Sequence, residues 1–262
     1  MFFFFSLFPQ LCHSRSLVVP DSFPTITSAI KVAYHGDTVF VKKGTYREAL
    51  ALSKEVSILG QSKDSSIIAC PKGKIGIDCR AKYNESFIKN LKILGGEIGI
   101  RTLNCIPKIT DNLIVNSSKV GIQAFITCPV INNNVIYGAK IAGIYLEHVR
   151  ANKCRINNNV IINSGYSGIY AVGRTTISLQ GNIIGCSKIG IYYEDSGVLS
   201  FIGWTSIFQC DNFFPFVNWS TNNLVESIPP FVSPGLPDLN YCLVPNSEFH
   251  MKYPGVGLQN AQ

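Results

Sequence analysis

Glu147, His148, Arg174, Glu194 and Asp195 are the side chains of this 262-residue chain whose types and spacing could do covalent chemistry. Charged residues make up only 15% of the sequence, against about a quarter in ordinary globular proteins, so charges that recur at related positions stand out. Two carboxylates can act as the acid and base of an inverting glycoside hydrolase, and a His or Arg beside a uronate can take the proton in an elimination. The bland alternative is a solvated turn in which opposite charges pair weakly. Glu194 with Asp195 could also offer oxygens to calcium, but no oxygen-rich loop surrounds them. His13, His35, His148 and His250 contain no close pair, and none of the nine cysteines forms a Cys-x-x-Cys motif. Neither a resident metal nor a cofactor is expected.

A second set is suited to binding. Tyr145, Tyr170 and Tyr192 follow Arg101 and Gln123 at similar intervals. Tyrosines stacked on successive strands would offer amphipathic platforms to sugar rings, with hydroxyls left for hydrogen bonds. Their competing role is to stabilise a sheet through cross-strand aromatic pairs.

Whether these residues meet depends on the elements that carry them. A Gly-Ile pair recurs at Gly76, Gly99, Gly121, Gly143, Gly168 and Gly190, with spacings of 23, 22, 22, 25 and 22 residues. Out of phase with it run Asn90, Asn112, Asn134, Asn159 and Asn182, spaced by 22, 22, 25 and 23. A fixed period of this size marks a repeat architecture. Between the markers lie short runs rich in β-branched residues, and the chain as a whole has 32 Ile against 18 Leu. Such runs suit pleated strands better than helices. Each unit reads as strand, turn, strand, turn. One unit cannot bury its apolar face alone, but stacked units pair every backbone about 4.8 Å apart. The expected fold is all-β, a single parallel β-helix. Glycine is expected at corners needing positive φ, and Asn in tight left-handed turns where its amide bonds to the same amide one coil away. With the residue after each Gly facing inward, the next faces outward, giving the column Asp78, Arg101, Gln123, Tyr145, Tyr170, Tyr192. A further outward column passes through Glu147 and Glu194.

Thr25 to Tyr34 carries a helical pattern, with Ile26, Ala29, Ile30 and Ala33 on one face and a Thr or Ser as cap. This short helix would plug the N-terminal end of the cylinder. The runs Phe23-Pro24-Thr25-Ile26, Ala29-Ile30, Gly36-Asp37-Thr38-Val39-Phe40-Val41 and Gly44-Thr45-Tyr46-Arg47-Glu48 resemble the opening of pectin-lyase-like right-handed parallel β-helix proteins. Pro229 to Ser233, with Asp238, Leu239 and Leu243, is similar to their closing segment. The resemblance spans about residues 20 to 250 and implies a right-handed coil and a connection with polysaccharide. No Asn-Thr-Asp, Asp-Asp or Gly-His-Gly run of the polygalacturonases is present. No catalytic residue therefore carries over, and fold alone does not imply an activity.

The formal net charge of +7 favours acidic partners. The basic residues are scattered and no nucleic-acid signature occurs, which sets nucleic acid aside. Met1 to Leu11 is apolar and phenylalanine-rich like the end of an export signal, and no apolar run reaches the ~18 residues that span a bilayer. Cys70 and Cys79 could pair in an oxidising compartment. The expected organisation is an export segment over 1–16, a β-helix over 17–217 and an irregular cap over 218–262. The expected function is binding of extended, acidic polysaccharide at the exterior, periplasm or cell surface. The alternatives are a polysaccharide lyase or glycoside hydrolase, and a structural or adhesive surface protein.

Overall fold

Most of the isoleucines among the described residues have a common destination. In the computed structural model, which describes residues 14–80, 86–149, 154–173, 175–194, 198–203, 205–212, 224–226, 231–233 and 240–243, they form three stacks inside a parallel β-helix. One coil is typical: Lys108–Thr110 on a first sheet, Leu113–Val115 on a second, and Val120–Phe125 on a third. The first and second sheets each have nine strands and the third has seven, with parallel pairing throughout. Ile88, Ile109, Ile131 and Ile156 stack in register on the first sheet. Ile93, Ile114, Ile136, Ile161, Ile184 and Ile207 do so on the second, and Ile77, Ile100, Ile122, Ile144, Ile169 and Ile191 on the third. All are essentially inaccessible to solvent. Each such burial contributes on the order of 1.5–3 kcal/mol, and identical side chains pack on one another without a change of shape from coil to coil.

The coil has three strands where the sequence suggests two. Asp111, at φ 58°, turns the chain between Lys108–Thr110 on the first sheet and Leu113–Val115 on the second. Three columns of left-handed residues make the corners. Asn90, Asp111, Asn133, Asn158 and Gly181 form one, and Gly95, Asn116, Gly138, Asn163, Cys186 and Gln209 the next. Asn104, Ile126, His148 and Gly173 form the third. Side-chain amides and glycine tolerate this backbone, whereas a β-branched residue such as Ile126, at φ 69°, does not do so readily.

The two marker columns therefore do different work from that expected. None of the repeated glycines Gly76, Gly99, Gly121, Gly143 and Gly168 has a positive φ. They are small because the coils touch there: a Cβ on Gly121 would lie 2.6 Å from the carbonyl oxygen of Gly143 and 2.5 Å from Cγ2 of Ile136. The asparagines Asn112, Asn134, Asn159 and Asn182 are not in left-handed turns either; each follows the residue that is. Asn90 belongs to the left-handed column, one place before the ladder. The ladder itself forms. Each amide nitrogen of Asn112, Asn134 and Asn159 donates to the side-chain oxygen one coil on, at 3.1 Å in all three cases.

Helix Ile26–Val32 is capped by Thr25, whose hydroxyl accepts from the Ser28 amide while the Ser28 hydroxyl accepts from that of Thr25. It buries Ile26, Ala29 and Ile30 against the first coil. Glu48 adds a second cap from the next coil, accepting from the amides of Ile26 and Thr27 at 2.9 and 2.8 Å. Strand Ser16–Val19 opens the first sheet, and Leu224–Glu226 extends the second beyond the regular coils. The apolar segment at residues 1–13 lies outside the described residues. Among those described, no helix is long and apolar enough to cross a membrane.

Cys70 and Cys79 do not pair, because they end strands on different sheets. The disulfide joins Cys128 and Cys154 on adjacent coils, with Cα atoms 5.1 Å apart.

Candidate functional site

The outer surface of the third sheet collects most of the candidate residues. Register places Asp78 beside Arg101, then Gln123, Tyr145, Tyr170 and Tyr192, one per coil, as the alternation of side chains requires. The parallel column two residues on runs Leu103, Phe125, Glu147, Val172, Glu194. On the other flank, Tyr166 precedes the strand Ser167–Val172 and joins the tyrosines; no periodic mark in the sequence singles it out.

Rings of Tyr145 and Tyr170 stack at 5.2 Å between centroids and 20° between planes. Tyr170 and Tyr192 lie 4.9 Å apart at 48°, while Tyr166 meets Tyr192 edge-on at 5.6 Å. Stacking along the coil axis covers ring faces with other rings, so Tyr145, Tyr170 and Tyr192 present outward chiefly their edges and hydroxyls. The strip is therefore a row of hydrogen-bonding groups on an aromatic base rather than a series of open platforms. Both readings of the tyrosines hold at once: the pairs stabilise the sheet, and the hydroxyls remain at the surface.

The Tyr170 hydroxyl donates to Glu194 Oε2 at 2.5 Å. Burial, then this hydrogen bond and the charge of Glu194, push the Tyr170 phenol well above its usual range. Burial first, and then Glu147, raises Tyr145, and burial with Tyr166 and Glu194 raises Tyr192. All three are neutral at physiological pH and none is an anionic base; the Tyr170 hydroxyl already donates to Glu194, which leaves its oxygen to accept. Arg101 is committed to Asp78, which accepts from its Nε at 2.9 Å and Nη2 at 2.7 Å and also pairs with Arg80. That hydrogen bonding, opposed by burial, raises the Arg101 pKa further. Arg101 anchors one end of the strip and contributes its remaining N–H groups. On the flank, Lys188 Nζ stands 5.8 Å from the Tyr166 ring centroid, and Lys119 pairs with Glu97 at 2.7 Å.

Glu147 and Glu194 share a column on either side of Val172, so their backbones are two coil steps, roughly 9.6 Å, apart. His148, exposed, occupies a left-handed corner at φ 51°. Its ring packs over Gly173, where a Cβ would come within 2.4 Å of Nδ1. Glu147, His148 and Glu194 are thus brought to one edge of the strip, but no hydrogen bond joins His148 to either carboxylate among the described residues. Arg174 and Asp195 lie outside the described residues. Among those described, no group of three or more His, Cys, Asp or Glu is arranged to hold a metal.

A family comparison agrees with the parallel coil. Residues 56–184 match the protein family described as right handed beta helix region. A solved structure of an alginate lyase from Paenibacillus sp. str. FPU-7 is similar to this chain at 14% identity and a TM-score of 0.38, covering 81% of this chain and 98% of the lyase. No curated protein matches.

Proposed function

From the premise that this chain is a right-handed parallel β-helix protein, we propose that it binds an extended polysaccharide along the outer face of its third sheet. One observation carries this reading: Arg101, Gln123, Tyr145, Tyr170 and Tyr192 form an unbroken registered column. A polymer of repeating hydroxyls, each both donor and acceptor, is matched by a surface that repeats a hydrogen-bonding group every coil, about 4.8 Å. Lys188 on one flank supplies local positive charge toward an acidic chain, and the net charge of +7 adds attraction at longer range. The Cys128–Cys154 bond supports an exported protein, since disulfides persist in oxidising compartments.

Retention on immobilised pectate, alginate and neutral glycans tests the reading. The native chain is expected to be retained on at least one of these, and a Tyr145→Ala, Tyr170→Ala double variant to lose about tenfold in affinity, or ~1.4 kcal/mol. Equal retention of native and variant chains rules the strip out.

A second reading, glycoside hydrolysis, is favoured by the placement of two carboxylates, Glu147 and Glu194, in one outward column on either side of Val172, since an inverting hydrolase works with a pair of carboxyl groups. Glu147 would then serve as one partner and Glu194, already hydrogen-bonded to a phenol, as the other. Shortening of a glycan by the native chain, abolished in both Glu147→Gln and Glu194→Gln, would establish it. Retention without shortening leaves the binding role alone.

A further inference from the structure

Cys79, Cys105, Cys128 and Cys154 follow one another at 26, 23 and 26 residues, about one coil each. The last two are bonded to each other. The first two are in contact: the Cys105 thiol donates to the Cys79 carbonyl at 3.2 Å. Both are sealed in the core, at 0% and 1% exposure. Cys70, by contrast, meets only the Pro71 carbonyl among the hydrogen-bond acceptors described for it. A pair of buried cysteines on neighbouring coils, in contact through a thiol and a carbonyl and with the sequence spacing of a neighbouring pair that is already bonded, is a site for the same chemistry.

We propose that Cys79 and Cys105 are a second disulfide site, oxidised by thiol–disulfide exchange with a low-molecular-weight disulfide such as glutathione disulfide. The Cys105 thiolate attacks one sulfur of the oxidant, forming a mixed disulfide and releasing one glutathione thiolate. Cys79, as thiolate, then attacks the Cys105 sulfur, forming the Cys79–Cys105 bond and releasing the second glutathione. Two electrons pass from the cysteine pair to the oxidant, and the two thiol protons reach the two glutathione thiolates through solvent. Hydrogen bonding from Cys79 lowers the Cys105 thiol, whereas the same contact and burial raise Cys79; this order of attack follows. Exchange takes place before the coils close over the pair, or during their local opening, since the folded core admits no oxidant.

The bond has a place in the molecule. Asp78, which holds Arg101, directly precedes Cys79, and Cys105 lies two residues beyond the strand Ile98–Leu103 that carries Arg101. Cross-linking would therefore fix the first two coils of the binding face to each other. With Cys128–Cys154 it would make two staples over four successive coils, and the gap between them is spanned by the Thr127 hydroxyl donating to the Cys105 carbonyl at 2.8 Å.

The test refolds the full chain in glutathione redox buffers of increasing oxidised fraction, blocks free thiols, digests without reduction and maps cross-linked peptides by mass. It is scored in the first buffer in which Cys128–Cys154 is closed. A Cys79–Cys105 cross-link, lighter by two hydrogens than the thiol pair, is the expected result. Recovery of both cysteines as blocked thiols, or of either joined to another cysteine, overturns the proposal. As a second measurement, Cys105→Ser is compared with Cys70→Ser. Only the former should lower the melting temperature of oxidised protein by several degrees relative to native, and the deficit should shrink after reduction. Equal melting of the two variants in oxidised protein counts against the site, and if Cys105→Ser does not fold, the peptide map of the native chain decides.

Discussion

Asp37 is the most strongly held carboxylate of the described residues. It accepts from the Arg15 guanidinium at 2.6 Å, from the Arg15 amide at 2.9 Å and from the Tyr34 amide at 2.8 Å, while only 3% of its side chain is exposed. The Arg15 hydrogen bond, against the cost of burial, brings its pKa from 3.8 down to about 2. A carboxylate with a depressed folded-state value contributes stability that is complete above its unfolded value and disappears as pH falls through the folded one. The contribution is about 2 kcal/mol, lost between roughly pH 4 and pH 2. Denaturant midpoints measured across that window should fall for the native chain and fall less for Asp37→Asn, which has no charge there to lose. At the proposed binding strip the relevant pair is Tyr170 and Glu194. Tyr170→Phe keeps the ring stack and removes the hydroxyl, so it should weaken glycan retention by about 1 kcal/mol with little change in melting temperature. A drop in both would assign the hydroxyl to the sheet and not to the ligand.

The Asn ladder is the element on which coil register depends most. Asn134 accepts from the amide and side chain of Asn112 at 3.0 and 3.1 Å, and donates to the Ile109 carbonyl and to Asn159. Asn134→Ala would leave several buried polar groups without partners, at a cost of about 3 kcal/mol or more. Chemical denaturation should show this as a midpoint shift larger than that of an exposed Asn. Gly121→Ala is expected to cost a comparable amount for a different reason: its neighbours at 2.5 and 2.6 Å are a core isoleucine and the backbone of the next coil, neither of which can move freely. Both elements are visible as periods in the sequence, but their roles are not. Recurrence shows that a position matters in every coil, and both positive φ and close approach select small or amide side chains. Only the third dimension shows that Gly121 meets Gly143 and that the left-handed residue stands one place before each ladder Asn.

At the scale of the whole molecule, charge and site have different geometries. The formal charge of +7 is spread over a long solenoid, whereas Glu147 and Glu194 line one edge of the strip. Attraction of an acidic glycan by net charge is screened over about 8–10 Å at physiological salt. Raising salt from 50 to 500 mM should therefore release chains held by diffuse charge and leave those held by the tyrosine hydroxyls. Release of every glycan to the same extent by salt would place binding outside the strip.

Composition and a period near 22 residues were enough to determine the parallel coil, its inward isoleucines and the outward column from Asp78 to Tyr192, because strand alternation and stacking follow from local chemistry repeated many times. What tertiary structure alone decided is what those side chains do to one another. It set the third strand of each coil, the addition of Tyr166 to the strip and the covering of tyrosine faces by their neighbours. It also paired Cys128 with Cys154. Each of these depends on distances and ring orientations between coils, which a recurring residue type does not specify.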